Sequence, residues 1–253
     1  SLIMNWKGLI EESGMSKISG SMFRIVESQE QIATMGLVNS LEEQSILEQM
    51  IEETKPKNEN ENKDKDIHYL LTTPFRYPPL DWGSRFGSKN EASLFFGSKS
   101  ITTLMCEAAY YRFIFWMGMS APPSSKLRTQ HTVLSVDYKS KYGIQLQLEP
   151  FVQHKSVLMD PGNYKETQKL GNAMRVFGIK AFEYISARDP EERVNVALFD
   201  IEALASKKPV DTTQWFCETD GDQVLFRCDH HNKVYRYPYS FFQIDGKIPQ
   251  PAN

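Results

Sequence analysis

The chain has 253 residues, 40% hydrophobic and 24% charged, with 29 Lys and Arg against 32 Asp and Glu and a net charge of −3. That length buries a core without a disulfide or metal staple, and the acidic balance argues against nucleic acid, whose phosphates require a clustered basic face. No apolar run reaches the roughly 18 residues of a membrane span, no signal peptide is evident, and Cys106, Cys217 and Cys228 are too scattered for a secreted disulfide framework, so a cytoplasmic protein is expected.

Residues 1–20 read as an N-terminal extension, and Met22–Val26 as a short strand that carries one cation, Arg24. Ser40-Leu41-Glu42-Glu43 forms a capping box, in which hydroxyl and carboxylate satisfy each other's backbone amides. It opens a helix with Ile46, Leu47, Met50 and Ile51 on one side. Lys55–Asp66 has no apolar residue and cannot offset its ordering entropy by burial, so it reads as a solvated polar loop within one domain spanning 1–253.

From Thr73 to Gly87 the prolines and glycines (Pro74, Pro78, Pro79, Gly83, Gly87) argue against a helix and for an extended, turning path. Arg76, Arg85 and four aromatics sit on it. Such a path serves either as a stiff lid over the core or as a functional loop. Ser93–Phe96 reads as a buried strand ending at Gly97. A helix from about Ile101 to Phe115 follows, with Ile101, Leu104, Met105, Ala108, Arg112 and Phe115 near one stripe. Glu107 falls roughly 100° from the stripe's centre, at its edge, where position alone favours solvent over a cleft.

Short alternating runs then predict strands around Val133–Val136, Ile144–Leu148, Val194–Leu198, Val224–Phe226 and Val234–Tyr237. A helix around Lys165–Phe177 precedes a strand at Ala181–Arg188. No regular helix–strand alternation demands a parallel sheet, so the fold class is α+β in a single compact domain.

Phosphate loops, dinucleotide glycine fingerprints, zinc-protease and nucleophile-elbow motifs are all absent. Cys217, Cys228, His230 and His231 lack the short paired spacing of a tight zinc site, so no metal is expected.

The ordered set Gly83-Ser84-Arg85-Phe86, Leu94-Phe95-Phe96, Thr103-Leu104-Met105-Cys106-Glu107 and Tyr184-Ile185-Ser186-Ala187-Arg188 resembles the RES domain family. The resemblance runs from about Phe23 to Phe199. It implies a fold like that of ADP-ribosyltransferases, with two small β-sheets and flanking helices around an NAD cleft. The implied activity is that of a toxin of a toxin–antitoxin pair, cleaving the nicotinamide–ribose bond of NAD with water or phosphate as acceptor. Transfer of ADP-ribose to a protein, or nucleotide or partner binding without turnover, are the alternatives. Candidate partners are NAD as substrate, a helix-turn-helix (Xre-type) antitoxin and a second copy of the chain, with no metal, nucleic acid or membrane.

Carried onto this sequence, the resemblance assigns Glu107, Arg85 and Ser186 to catalysis, and Arg24, Arg85, Phe96, Ser186 and Arg188 to NAD binding. The family often has tyrosine where Phe96 stands, and Tyr110 and Tyr111 are the nearby hydroxyls that stand in for it. These residue types suit the reaction. A carboxylate stabilises the positive charge that builds on the ribose, and arginine forks match a pyrophosphate. Ser186 would hold the nicotinamide amide or a ribose hydroxyl, and Arg188 an incoming anion. Plainer readings stand beside these: Arg85 tethering its loop to carbonyls, Glu107 facing solvent, Ser186 bonding backbone, and Phe96 in the core.

Overall fold

A computed structural model describes residues 4–27, 50, 66–228 and 231–251. The helix expected after Ser40 and nearly all of the polar loop at 55–66 lie outside these residues.

The described chain begins with α1 (Trp6–Ser13), capped by Asn5, whose side chain accepts from the amide of Gly8. Trp6 and Ile10 are buried in the core beside Phe86 and Leu170, and β1 (Ser16–Glu27) starts well before the expected strand. The supposed extension at 1–20 is therefore structural from Trp6 onward, because its apolar residues three and four apart pack inward.

Next comes α2 (Tyr69–Arg76), a short helix that contains Pro74 and corrects the expectation that this stretch cannot be helical. Pro74 lies near the helix's C-terminal end, where one missing amide bond is offset by burial of Leu71, Thr72 and Pro74 itself. A non-helical path from Tyr77 leads to β2 (Phe95–Ser98) and then α3 (Ile101–Met117), capped by Ser100, which accepts from the amide of Thr103 at 3.1 Å.

Then follow β3 (Leu127–Gln145), the short α4 (Lys155–Leu158), α5 (Lys165–Val176), β4 (Ala181–Ile185) and β5 (Val194–Leu198). The chain closes with β6 (Asp211–Thr219), β7 (Gln223–Cys228) and β8 (His231–Pro238). Both helices and strands are present, and the fold is α+β.

The described strands make one hydrogen-bonded sheet in the order β1-β2-β5-β4-β3-β6-β7-β8, with β1 also paired to β3. That extra pairing closes β1, β2, β5, β4 and β3 into a ring. Two separate small sheets are thus replaced by one continuous network, and the cause is β3. Its 19 residues, which the periodicity split into two strands, pair with β1 on one edge and with β6 and then β4 on the other. All pairs are antiparallel except β3–β4, which the connection through α4 and α5 makes parallel.

Along the opposite edge of β1 the ladder to β2 consists of the single pair Phe23↔Ser98. Beyond it the two strands part. The site described below occupies this gap, under α3, which is apolar around most of its circumference and buries Met105, Cys106, Ala109, Tyr110 and Phe113. Among the described residues no helix is long and apolar enough to cross a membrane.

Candidate active site

A cavity of about 470 Å³ opens between α3, the parted edges of β1 and β2, and the Gly83–Gly87 turn. Its size falls in the range of small-molecule sites. The stripe of α3 read from the sequence as core-facing forms one wall: Leu104, Ala108, Arg112 and Phe115 line the cavity, and so does Glu107. Glu107 is therefore not a solvent-facing residue. The side of α3 that packs into the core carries Met105, Cys106, Ala109 and Phe113 and overlaps that stripe at Leu104 and Met105.

Glu107 is held from the turn after β4 and from β5. Ser186 Oγ donates to its Oε1 at 2.5 Å, and Asn195 Nδ2 donates to the same oxygen at 2.8 Å. Asn195, on β5, is fixed in turn by Ser98 of β2, whose Oγ donates to Asn195 Oδ1 at 2.6 Å. One carboxylate oxygen is thereby anchored.

Ser186 lies beside the cavity rather than on its wall. It is fully buried, and its hydroxyl also accepts from the amides of Arg188 and Asp189 at 3.2 and 3.1 Å. Its bonding capacity is committed to Glu107 and to backbone. Its hydroxyl thus links the Glu107 carboxylate to the turn that follows β4.

Arg85 sits on a tight turn in which the amide of Ser84 donates to the carbonyl of Gly87 at 2.8 Å. The turn requires Gly83, at φ +72°, because a Cβ there would stand 2.3 Å from the Gly87 carbonyl. Phe86 turns into the core while Arg85 turns into the cavity, its Nη1 donating to the carbonyls of Leu158 (3.3 Å) and Asp160 (2.7 Å). The carbonyl tether and the cavity position both hold for Arg85. Its guanidinium lies 4.5 Å from the centre of the Tyr164 ring. Tyr164 Oη accepts from Arg188 Nη2 at 2.9 Å, and Arg188 itself stacks on Tyr110 at 3.5 Å.

Arg24 stands where β1 leaves β2. Its Nη1 donates to the Phe96 carbonyl at 2.8 Å, and its Nε is buried with no acceptor. Burial, uncompensated by an opposing charge, pulls its guanidinium down to about 10. Phe96 itself is half-buried; it lines the cavity and also packs against the core beneath it.

Arg24, Arg85 and Arg188 take part in none of the ion pairs found among the described residues. The fourth arginine of the cavity, Arg112, is paired with Glu27 at 2.9 Å. Among the described residues, the cavity thus has three cations without carboxylate partners and one carboxylate, Glu107, without a cation. That is the charge pattern of a site for a polyanion that carries a developing positive centre.

Two side chains next to Glu107 are unsuited to chemistry. Burial pushes the Cys106 thiol well up, and its Sγ donates to the Arg188 carbonyl at 3.0 Å. Tyr110, expected as a source of hydroxyl, donates instead to the Pro249 carbonyl at 2.7 Å. Tyr111 does reach the cavity.

The sequence reading missed Asn195 and Tyr164. A lone Asn inside the apolar run Val194–Leu198 was the available signal, since a buried amide persists in a strand only where it is bonded. Tyr164 had none.

Among the described residues no three His, Cys, Asp or Glu are grouped to hold a metal. Cys217 and Cys228 are buried in the core, while His230 and the side chain of His231 lie outside the described residues.

A search among curated proteins finds no match for the chain. A family model for the RES domain matches residues 63–220, more than half of the chain, and takes in Arg85, Phe96, Glu107, Ser186 and Arg188. Arg24 lies ahead of the matched stretch.

Proposed function

Because the chain belongs to the RES domain family, known in toxin–antitoxin systems and in NAD-related activity, we propose that it breaks the nicotinamide–ribose bond of NAD. The carbon–nitrogen bond parts with its electron pair on the ring nitrogen. Neutral nicotinamide leaves without a general acid, and positive charge is left on the ribose. Glu107 stabilises that charge through the oxygen that Ser186 and Asn195 do not occupy. Arg85 and Arg24 hold the pyrophosphate, with Arg188 behind them.

Water then adds to the ribose carbon and loses a proton, giving ADP-ribose; phosphate adds in the same place to give the 1-phosphate. In a cell this loss of NAD would act as a toxin, held in check by an antitoxin partner.

The observation that carries the reading is the meeting, in one cavity, of Glu107 with three arginines that have no carboxylate partner among the described residues. The test is release of nicotinamide from NAD by purified protein, with and without phosphate. Wild type should release it, and Arg85→Ala and Glu107→Ala should lose at least 100-fold in rate. If wild type and both variants leave NAD untouched under all conditions, the reading fails. Saturable binding of NAD without release would favour a binding module, for which Phe96 in place of the family's tyrosine is the motive. Label passing from NAD to a single protein band in an extract would indicate a protein acceptor.

A further inference from the structure

We propose that a second chamber, beside the first and under the proline-rich path, is the subsite for the adenosine half of the dinucleotide; this rests on the NAD reading above. The chamber has a volume of about 270 Å³, and Tyr77, Pro78 and Pro79 form part of its wall. It shares Arg24, Leu80, Gly83, Ser84 and Phe96 with the first cavity. A ligand longer than one cavity can therefore pass from one to the other along this shared wall, which includes Arg24 and Phe96.

The walls suit a neutral flat ring with hydroxyls attached. Proline faces and the Tyr77 and Phe96 rings offer apolar planes, and Tyr77 and Leu80 are 41% and 55% exposed, with their surfaces not consumed by the core. Of the hydroxyl-bearing residues on this wall, Thr73 and Ser93 already donate to the carbonyls of Tyr69 and Tyr77, and Ser84, which also lines the first cavity, stands at hand for a ribose. The wall is also preset. Ser93 Oγ donates to the Tyr77 carbonyl at 2.9 Å, and Gln168 Nε2 donates to the carbonyls of Trp82 (3.0 Å) and Ser84 (2.9 Å).

The orientation follows from charge. At the far end of the first cavity Arg112 is committed to Glu27 and to Thr219 Oγ1, and its Nη2 is sealed from contact. That end offers a phosphate no free cation and one carboxylate. Together with Glu107 and the rings of Phe115 and Phe226 it suits the cationic pyridinium instead. Arg24, the one cation common to both chambers among the described residues, then receives the pyrophosphate, and the adenosine lies beyond it.

The experiment compares NAD with nicotinamide mononucleotide, which lacks the adenylate half, as substrates of the full chain. Tyr77→Ala removes a wall, and Ala92→Trp, at an exposed position of the chamber, fills it. Each should raise KM for NAD about tenfold, the loss expected for one base–aromatic stack, while kcat for NAD and both constants for the mononucleotide stay at wild-type values. Calorimetric titration with AMP gives a readout that needs no turnover: the wild type should bind it, and Ala92→Trp should weaken binding about tenfold.

Equal effects on both substrates, no effect on either, or an NAD-selective defect in Phe226→Ala instead would overturn the assignment. So would failure of AMP to bind wild type. A wild type that binds AMP at the chamber yet releases no nicotinamide from NAD would sink the catalytic reading alone.

Discussion

Ser186 and Glu107 are joined by a hydrogen bond of 2.5 Å, and the serine oxygen that donates it is itself pinned by the amides of Arg188 and Asp189. The carboxylate is thus tied through one hydroxyl to the turn that follows β4. Asn195 holds the same oxygen from β5, so rotation of Glu107 is blocked from two sides. Ser186→Ala should lower kcat for nicotinamide release by about 10- to 100-fold with KM nearly unchanged, since the lost bond aims a group without itself meeting substrate. Asn195→Asp places a second carboxylate against the first, so one of the pair holds a proton to higher pH. Its rate should fall at neutral pH and recover as pH rises, which a pH–rate profile would read. A parallel rise of KM in Ser186→Ala would place the serine on the substrate instead.

Tyr164 supports two guanidiniums at once, Arg85 on its ring and Arg188 on its hydroxyl. Tyr164→Phe keeps the first contact and removes the second. It should raise KM for NAD severalfold while leaving kcat within about twofold, the mark of lost ground-state binding. Arg85→Lys should be worse, with kcat/KM down at least 100-fold. An ammonium cannot span the carbonyls of Leu158 and Asp160 and still present a planar fork to a phosphate. Steady-state rates for both variants check this.

The site residues were legible in the sequence to the extent that they sit on punctuated or patterned segments. Arg85 stood out because Gly83 and Gly87 mark a turn, and the structure uses both. Glu107 is placed on the correct helix, but its position alone favours solvent and only the family resemblance puts it in a cleft, since a helical wheel gives the face of a residue and not what covers that face. A cavity beside an apolar stripe looks the same in sequence as a core. Ser186 is legible as a candidate but its bond to Glu107 is not, because nothing local reveals that an acid from another element lies 2.5 Å from its hydroxyl. The closure of β1 onto β3 escaped for a related reason: pairings between strands more than 100 residues apart leave no periodic trace. Pro74 misled because propensity was outweighed by burial around it.

Gly171 on α5 is what allows the Arg85 turn to lie against that helix. A Cβ at this position would stand 1.8 Å from the Phe86 carbonyl oxygen and 2.7 Å from its carbon, and backbone cannot yield as a flexible side chain can. Gly171→Ala should therefore cost about 3 kcal/mol or more of stability and displace Arg85 with its turn. Gly162→Ala is the control: its nearest neighbour is Pro249 at 3.4 Å, an ordinary contact. Urea unfolding should show a large drop in midpoint for the first and little change for the second.

His131 couples the buried end of the cavity to pH. It is 5% exposed, its Nε2 is 2.8 Å from Thr129 Oγ1, and it faces the Arg112–Glu27 pair across the cavity wall. Burial first, and the Arg112 charge second, hold its imidazole down to about 4 from the ordinary 6.5. Above pH 6.5 the ring is neutral both folded and unfolded, and it contributes no slope. Between 6.5 and 4 the unfolded chain takes up a proton that the folded chain refuses, so stability falls as pH falls, by up to about 3 kcal/mol, and levels off below 4. Glu183 behaves in the same direction but in a lower window. Lys99, Tyr138, Gln145 and Gln147 all donate to it and hold it below the usual carboxylate range, so its contribution is lost only as pH drops under about 4.5. His131→Gln should thus flatten the stability curve between pH 6.5 and 4.5 and leave the steeper acid limb in place. Denaturant unfolding of wild type and variant at half-unit pH steps would separate the two groups, and a wild-type curve already flat across that window would show that His131 does not carry it.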